Sequence, residues 1–246
     1  MDRIAIISDI HGNMPALEAT LQDISQRGIR RIFCLGDLVG KGPDSDRAVD
    51  MCREVCERTV RGNWDDFITH ETDNPTLQWH QQRLGPERLH YLASLPATIE
   101  FVMSGKYVRL FHASQIGVYY RVRRNDSDER HLAMFDNTRF TGHTFIPNVV
   151  GYGDIHGAYL KSIRQRTLFN VGSVGNPLDM PLASYAILEG RYDDEEQSSF
   201  AIQIVRLPYD IERAIRDAAE ARMPELQPYA DELRTARYRG AQTSIA

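Results

Sequence analysis

The sequence predicts an α/β fold, two layers of sheet with helices outside them. Two observations carry this reading. Between residues 3 and 62, short continuous apolar runs alternate with segments of helical period. From residue 97 onward, short apolar runs follow one another, separated by Gly, Asn and Pro. The first pattern builds a mostly parallel sheet through right-handed crossovers; the second gives strands joined by turns. At 246 residues the chain suffices for one large domain or two small ones. No stretch rich in Gly, Ser or Pro marks a linker, so residues 1–246 are expected to form a single domain, with a C-terminal helix and tail from about 208.

The elements follow in order. "RIAIIS" at 3–8 is continuously apolar, as a strand buried on both faces requires. From Met14 to about Gln26 the spacing is helical, with Met14, Leu17, Leu21 and Ile24 on one face and Gly28 at the stop. "RIFCLG" at 31–36 is a second buried strand. "SDRAVDMCREVCE" at 45–57 is a second helix, capped by Asp44 or Ser45, with Val49, Cys52 and Val55/Cys56 inward. "RTVRG" at 58–62 is a third strand, and residues 64–95 read as helical. "ATIEFVM" (97–103) and "KYVRLFHA" (106–113) form a hairpin around Ser104-Gly105. The charge-rich "RVRRNDSDER" (121–130) reads as a solvated loop or helix end. "TRFTGHT", "NVVGYG", "YLKSIRQRTLFNVGS", "ASYAILEG" and "SFAIQIVRL" follow as short strands. "PYDIERAIRDAAEARMP" (208–224) closes as an amphipathic helix on Ile211, Ala214, Ile215 and Ala218.

A net charge of −5 gives no global attraction for nucleic acid or an anionic membrane, so an anionic substrate must meet local positive charge. The start "MDRIAIISDIHG" lacks the basic flank and apolar core of a signal peptide. No apolar run approaches the roughly 20 residues that span a bilayer, and the cytoplasm is the expected location. The odd set Cys34, Cys52 and Cys56 fits a reducing compartment. Cys52 and Cys56 share a helix face and could clip a metal, but they fall on the apolar stripe, where free cysteine acts as a small hydrophobe, and that reading is preferred.

Ligands of open α/β sheets bind beyond the carboxyl ends of strands. Asp9 and His11 end the first predicted strand, Gly36-Asp37 the second and Gly62-Asn63 the third; His112 ends a later strand, and His143 follows another in "FTGHT". Each alone is weak, because a lone Asp-x-His is usually a turn and a lone strand-end His usually a hydrogen-bonded residue. Together they point to a shared polyvalent metal site. Carboxylates, imidazoles and an amide without thiolate suit one or two divalent ions such as Mn²⁺, Fe²⁺ or Zn²⁺.

"DIHG" at 9–12, "GDLVGKGP" at 36–43, "GN-D" at 62–65, His112 and "GHT" at 142–144 resemble the signature of calcineurin-like metallophosphoesterases. "NVGSVGNPLD" (170–179) and "ASYAILEG" (183–190) resemble the tail of the compact bacterial phosphodiesterase branch. The resemblance implies a four-layer α/β sandwich, two mixed sheets flanked by helices, and a hydrolase acting on a phosphorylated small-molecule or nucleotide substrate with a metal-activated water. It implies that Asp37 bridges two ions, that Asp9 and His11 bind the first, and that Asn63, His112 and His143 complete the second. Asp37, Asn63 and Asp65 form the implied catalytic set.

Two positions depart from the family. Trp64 stands where a leaving-group acid, His, is usual, and Phe145 stands where a His ligand of the first ion is usual. The first ion is therefore expected to be the weaker, and Trp64 to be a wall of the pocket. Trp64 and Phe145 could instead pack together in a decayed site, which would leave a metal- or phosphate-binding regulatory protein. "GDIHG" (153–157) repeats "DIHG" of 9–12 and offers His156 or Asp154 as a replacement ligand; the Gly-bounded segment reads more readily as a turn. Tyr119, Tyr120, Arg121 and Arg123 could line a substrate entrance or a solvated loop. A nuclease would need a basic footprint that is absent. An oligomer is left open.

Overall fold

Alternate residues of the first strand serve two different cores. In the computed structural model, which describes residues 1–239, β1 spans Asp2–Ile7. Ile4 and Ile6 face one apolar cluster, and Ala5 and Ile7 face another. This is why the run is apolar without alternation. β2 (Arg31–Cys34) divides the same way, Phe33 to one side and Ile32 and Cys34 to the other.

The alternation that follows is helix α1 (Met14–Gln26), β2, α2 (Ser45–Val55), β3 (Arg58–Thr59), α3 (Asn63–Phe67) and α4 (Pro75–Ser94). Asn13 caps α1, its Oδ1 accepting from the Ala16 amide at 3.2 Å, with Pro15 in the first turn. Next come β4 (Thr98–Met103), β5 (Lys106–Phe111), α5 (Asp128–Ala133), β6 (Val149–Tyr152), β7 (Tyr159–Ile163), β8 (Arg166–Asn170), β9 (Ala183–Gly190), β10 (Ala201–Leu207), α6 (Ile211–Glu220) and α7 (Leu226–Thr235).

One five-stranded sheet has the order β10-β9-β1-β2-β3, and the other β4-β5-β6-β8-β7. Both are mixed: β1–β2 and β2–β3 are parallel and β1–β9 antiparallel, while β5–β6 and β6–β8 are parallel and β4–β5 antiparallel. The sheets share a core in which Ile4, Ile6, Phe33 and Leu35 meet Val108, Leu110, Val149 and Phe169. Residues of α1, α2 and α4 cover the outer face of the first sheet. Met134 and Phe135, just after α5, cover the second with Phe111, Val150 and Leu168. The result is the expected α/β sandwich of two mixed sheets flanked by helices. Cys34 and Cys52 lie in the helix-side core as small apolar groups.

Several boundaries differ from the sequence reading. The third strand pairs only at Arg58–Thr59, because the chain turns at Gly62, where a Cβ would meet Asp37 Oδ1 at 2.1 Å. The segment 64–95 is α3 and then α4, which Asn74 caps by accepting from the Thr76 and Leu77 amides and which is broken at Gly85, non-helical at φ 70°, before Pro86. "TRFTGHT" is not a strand but a turn closed by a bridge between Thr138 and Gly142. Beyond α6 the chain adds α7, which the sequence reading did not foresee. Among the described residues no helix is long and apolar enough to cross a membrane.

Candidate metal centre

The carboxyl ends of β1 and β2 in one sheet, and of β5 and β6 in the other, converge. Asp9 and His11 follow β1, Asp37 follows β2, and His112 follows β5. After β6 comes Gly153-Asp154-Ile155-His156. Left-handed backbone is uncommon outside glycine and costs on the order of 1–3 kcal/mol per residue. Here Asp9, His11, Asp37, Lys41, Asp154 and His156 all adopt it, with φ between 51° and 61°. The strain is concentrated where the side chains converge.

Asp9, His11 and His156 form one buried cluster of possible ligand atoms, and Asp9, Asp37 and His112 a second. His11 Nδ1 lies 2.9 Å from the Val39 carbonyl and His156 Nδ1 2.5 Å from that of Asn176. Each Nδ1–H therefore donates to backbone, which leaves both Nε2 lone pairs pointing at the same place, 3.3 Å apart. Two such lone pairs repel unless a cation lies between them. Asp9 Oδ1 makes the same point: it is buried and has no hydrogen-bond partner, although His156 Nε2 is 3.1 Å away. Asp37 Oδ2 stands between the imidazoles, 3.7 Å from His11 Nε2 and 3.5 Å from His112 Nε2. His112 Nδ1 donates to the Leu35 carbonyl at 2.7 Å, and its Nε2 lies 2.9 Å from Asn63 Oδ1.

The electrostatics fit a cation. Burial works against charge on Asp9, but the imidazoles of His156, His112 and His11 hold its carboxyl below the usual range. Burial and the Lys41 ammonium push His11 well below its ordinary value, so it is neutral and able to ligate. Burial disfavours a charged His112, yet Asp37 and Asp9 beside it hold its imidazole well above the ordinary value. Both of its nitrogens face oxygens, and a positive charge sits where a second ion would. The donor set therefore fits divalent ions on both sides of Asp37.

Of the residues expected from sequence, Asp9, His11, Asp37, Asn63 and His112 come together. His143 does not: it is exposed and belongs to neither cluster. Phe145 is equally remote. Its ring packs on Tyr107 at 5.0 Å and its carbonyl accepts from Arg109 at 2.8 Å. Tyr107 is near the start of β5, five residues and about 16 Å of extended strand before His112. His156 joins Asp9 and His11, where Phe145 offers no ligand, while Asp154 belongs to neither cluster. Thus the first cluster has two imidazoles, those of His11 and His156. Asp154 is spent elsewhere: both its oxygens accept from Arg121, at 2.7 and 2.8 Å.

Asp65, expected to be catalytic, is fully buried, and its oxygens accept from the amides of Asp37, Leu38 and Gly62 at 2.7, 2.9 and 2.9 Å. It holds Asp37 in place and opens no oxygen to the cavity. Trp64 is a wall: its ring lies edge-on to His11 at 5.8 Å between centroids, and its indole fills the space where Gly40 has no Cβ. A cavity of about 460 Å³ opens over the centre, lined by Asp37, Asn63, Trp64, His156, Lys41 and the arginines 121, 123 and 124 among others. Arg121 and Arg123 thus line this cavity, and Tyr119 and Tyr120 are not among its lining residues. The sequence signal for His156 was the exact repeat of Asp-Ile-His-Gly; none announced Lys41 or, from α7, Glu232.

The calcineurin-like phosphoesterase superfamily domain matches residues 2–193. An uncharacterized protein of Methanocaldococcus jannaschii, MJ0912, is 34% identical over 239 residues, 90% of this chain and 94% of that one. Phosphodiesterase YfcE of Escherichia coli K12 is 25% identical over 201 residues, 77% of this chain and 88% of that one. A crystal structure of a metallophosphoesterase from Sphaerobacter thermophilus superposes with a TM-score of 0.77 at 27% identity, covering 95% of this chain and 99% of that one.

Proposed function

This chain belongs to the calcineurin-like phosphoesterase superfamily, metal-dependent hydrolases of phosphoester bonds, and from that premise we propose that it cleaves a phosphorylated small molecule or nucleotide at a two-ion centre. Asp9, His11, His156 and Asp37 would hold one ion, and Asp37, Asn63 and His112 the other, with Asp37 shared. Mn²⁺, Fe²⁺ or Zn²⁺ suits these donors. The observation that carries the reading is the pair of facing Nε2 atoms beside a partnerless Asp9 oxygen.

Bound ions of this kind acidify a water and offset phosphoryl charge. The remaining work falls to the chain. The Val39, Leu35 and Asn176 carbonyls fix the three imidazoles, and Asp65 fixes Asp37. Lys41, Arg123 and Arg124 line the cavity with positive charge for phosphate oxygens. The indole N–H of Trp64 is far too weak an acid to protonate a leaving oxygen. A general acid is worth about 10²–10⁴ in rate, chiefly for poor leaving groups. The enzyme therefore favours leaving groups that carry their own charge, such as phosphates and aryl oxides. Residues 1–246 act as one catalytic unit in the cytoplasm in this reading. A second reading, a weak or inactive phosphate-binding regulator, is favoured by one observation: Asp154, beside His156, gives both carboxylate oxygens to Arg121 and leaves none for an ion.

The test is a series of phosphate esters graded by leaving-group pKa, run with Mn²⁺. The wild type should slow steeply as that pKa rises, and Trp64→His should flatten the slope. No hydrolysis even of bis(p-nitrophenyl) phosphate would favour the regulator. A flat wild-type series would mean that another group protonates the leaving oxygen.

A further inference from the structure

A second, smaller cavity of about 190 Å³ adjoins the one over the metal centre, and Lys41, Trp64 and Tyr238 line both. Its far wall includes His80, Pro224 and Arg239. Whole-ligand pockets run to about 300–1,000 Å³, so this one has room for part of a ligand. Two of its three shared residues are aromatic and the third is a cation.

The wall on one side comes from residues 224–239, outside the matched stretch 2–193. Glu232 of α7, 1% exposed, holds it together. Its carboxylate accepts from the Arg239 amide and guanidinium at 2.9 to 3.1 Å, and from Asn176 Nδ2 at 3.1 Å. Asn176 Oδ1 in turn accepts from Lys41 Nζ at 2.7 Å. Lys41 has no other hydrogen-bond partner among the described residues; its ion-pair partner, Glu232 Oε2, is 3.8 Å off. Two of the three ammonium donors are thus unspent, at a side chain only 10% exposed that borders both cavities. A buried ammonium with free donors is an anion site, and the rings beside it are stacking surfaces.

We propose that this second cavity is the leaving-group subsite, and that it selects phosphate esters or anhydrides whose leaving group carries a planar ring, either a nucleobase or an aryl group. The proposal rests on the hydrolase reading for the bond that is cut. In the step, a water oxygen bonds to phosphorus while the bond from phosphorus to the leaving oxygen breaks. The electron pair leaves with that oxygen, as a phosphate or aryl oxide, and the proton of water passes to solvent. Lys41 faces the departing negative charge, and Trp64 and Tyr238 hold the ring. Trp64, where an acid is usual, then serves recognition of the leaving group in place of its protonation.

The test is calorimetric binding to Mn²⁺-loaded protein of AMP, phenyl phosphate and ribose 5-phosphate, with bis(p-nitrophenyl) phosphate hydrolysis measured on the same samples. Stacking of one ring predicts that at least one ring-bearing phosphate binds about tenfold tighter than ribose 5-phosphate. AMP alone showing the gain assigns the subsite to nucleotides; phenyl phosphate showing it equally assigns it to aryl groups. Tyr238→Ala, at a half-exposed position, should erase the gain, and Lys41→Gln should weaken every ring-bearing ligand. Ribose 5-phosphate binding as tightly as both ring-bearing phosphates, or a gain that survives Tyr238→Ala, overturns the proposal. Loss of diester hydrolysis with ring-dependent binding intact would count against the hydrolase reading instead.

Discussion

Asp9 to Gly12 and Asp154 to Gly157 carry the same four residues, Asp-Ile-His-Gly, at the carboxyl ends of β1 and β6 in opposite sheets. The backbones match: φ is 55° and 51° at Asp9 and His11, and 61° and 55° at Asp154 and His156. The imidazoles match as well, each giving Nδ1–H to a carbonyl and turning Nε2 to the other. The carboxylates do not. Asp9 keeps an oxygen without a partner at the centre of both ligand clusters, whereas Asp154 is clamped by Arg121. The glycines differ too. A Cβ on Gly12 would press on Gly42 O and Ser45 N, both at 2.9 Å, while one on Gly157 would meet nothing closer than 3.8 Å. A local motif can therefore fix the direction of a histidine, while the neighbours decide whether its aspartate ligates.

Five substitutions probe that asymmetry. The largest effect is expected at the aspartates. Asp9→Ala removes a ligand common to both clusters and should empty the centre and cut activity by more than about 100-fold, beyond the loss typical of residues that merely support a ligand. Asp154→Ala should retain both ions by metal analysis. If the two variants lose metal equally, Asp154 ligates after all and the asymmetry is false. Next come the glycines: Gly12→Ala should cost about 1–3 kcal/mol in denaturant unfolding, and Gly157→Ala should stay within about 0.5 kcal/mol. The smallest effect is expected at Phe145→His, which adds an imidazole where the resemblance had placed one. From beside Tyr107 it should leave metal affinity unchanged in a titration; a tighter ion would put the 142–145 segment back at the site.

Strands and helices with strong periodicity were legible in the sequence, β1, α1, β2, α2 and the β4–β5 hairpin among them. Five of the six residues expected as ligands come together in the structure, four of them within a few residues of the end of such strands. The sixth, His143, lies apart although "FTGHT" matches the family pattern locally, and only the pairing of β6 with β5 shows which following segment reaches the centre. Arg121 lay in a stretch whose charge density matched a solvated loop, and its partner, Asp154, is 33 positions away. The contribution of Glu232 depends on α7 folding back onto Asn176, 56 positions earlier. No local spacing records either contact.

Two placements are central: His156 beside Asp9 and His11 at the first ion, where Phe145 offers no ligand, and His143, expected at the second ion, outside both clusters. Metal content after gel filtration of Mn²⁺-loaded protein tests this directly, with wild type, His156→Ala and His143→Ala compared side by side. The account predicts that His143→Ala keeps the wild-type stoichiometry and that His156→Ala loses one equivalent. Loss of an equivalent from His143→Ala, with His156→Ala unchanged, would contradict it.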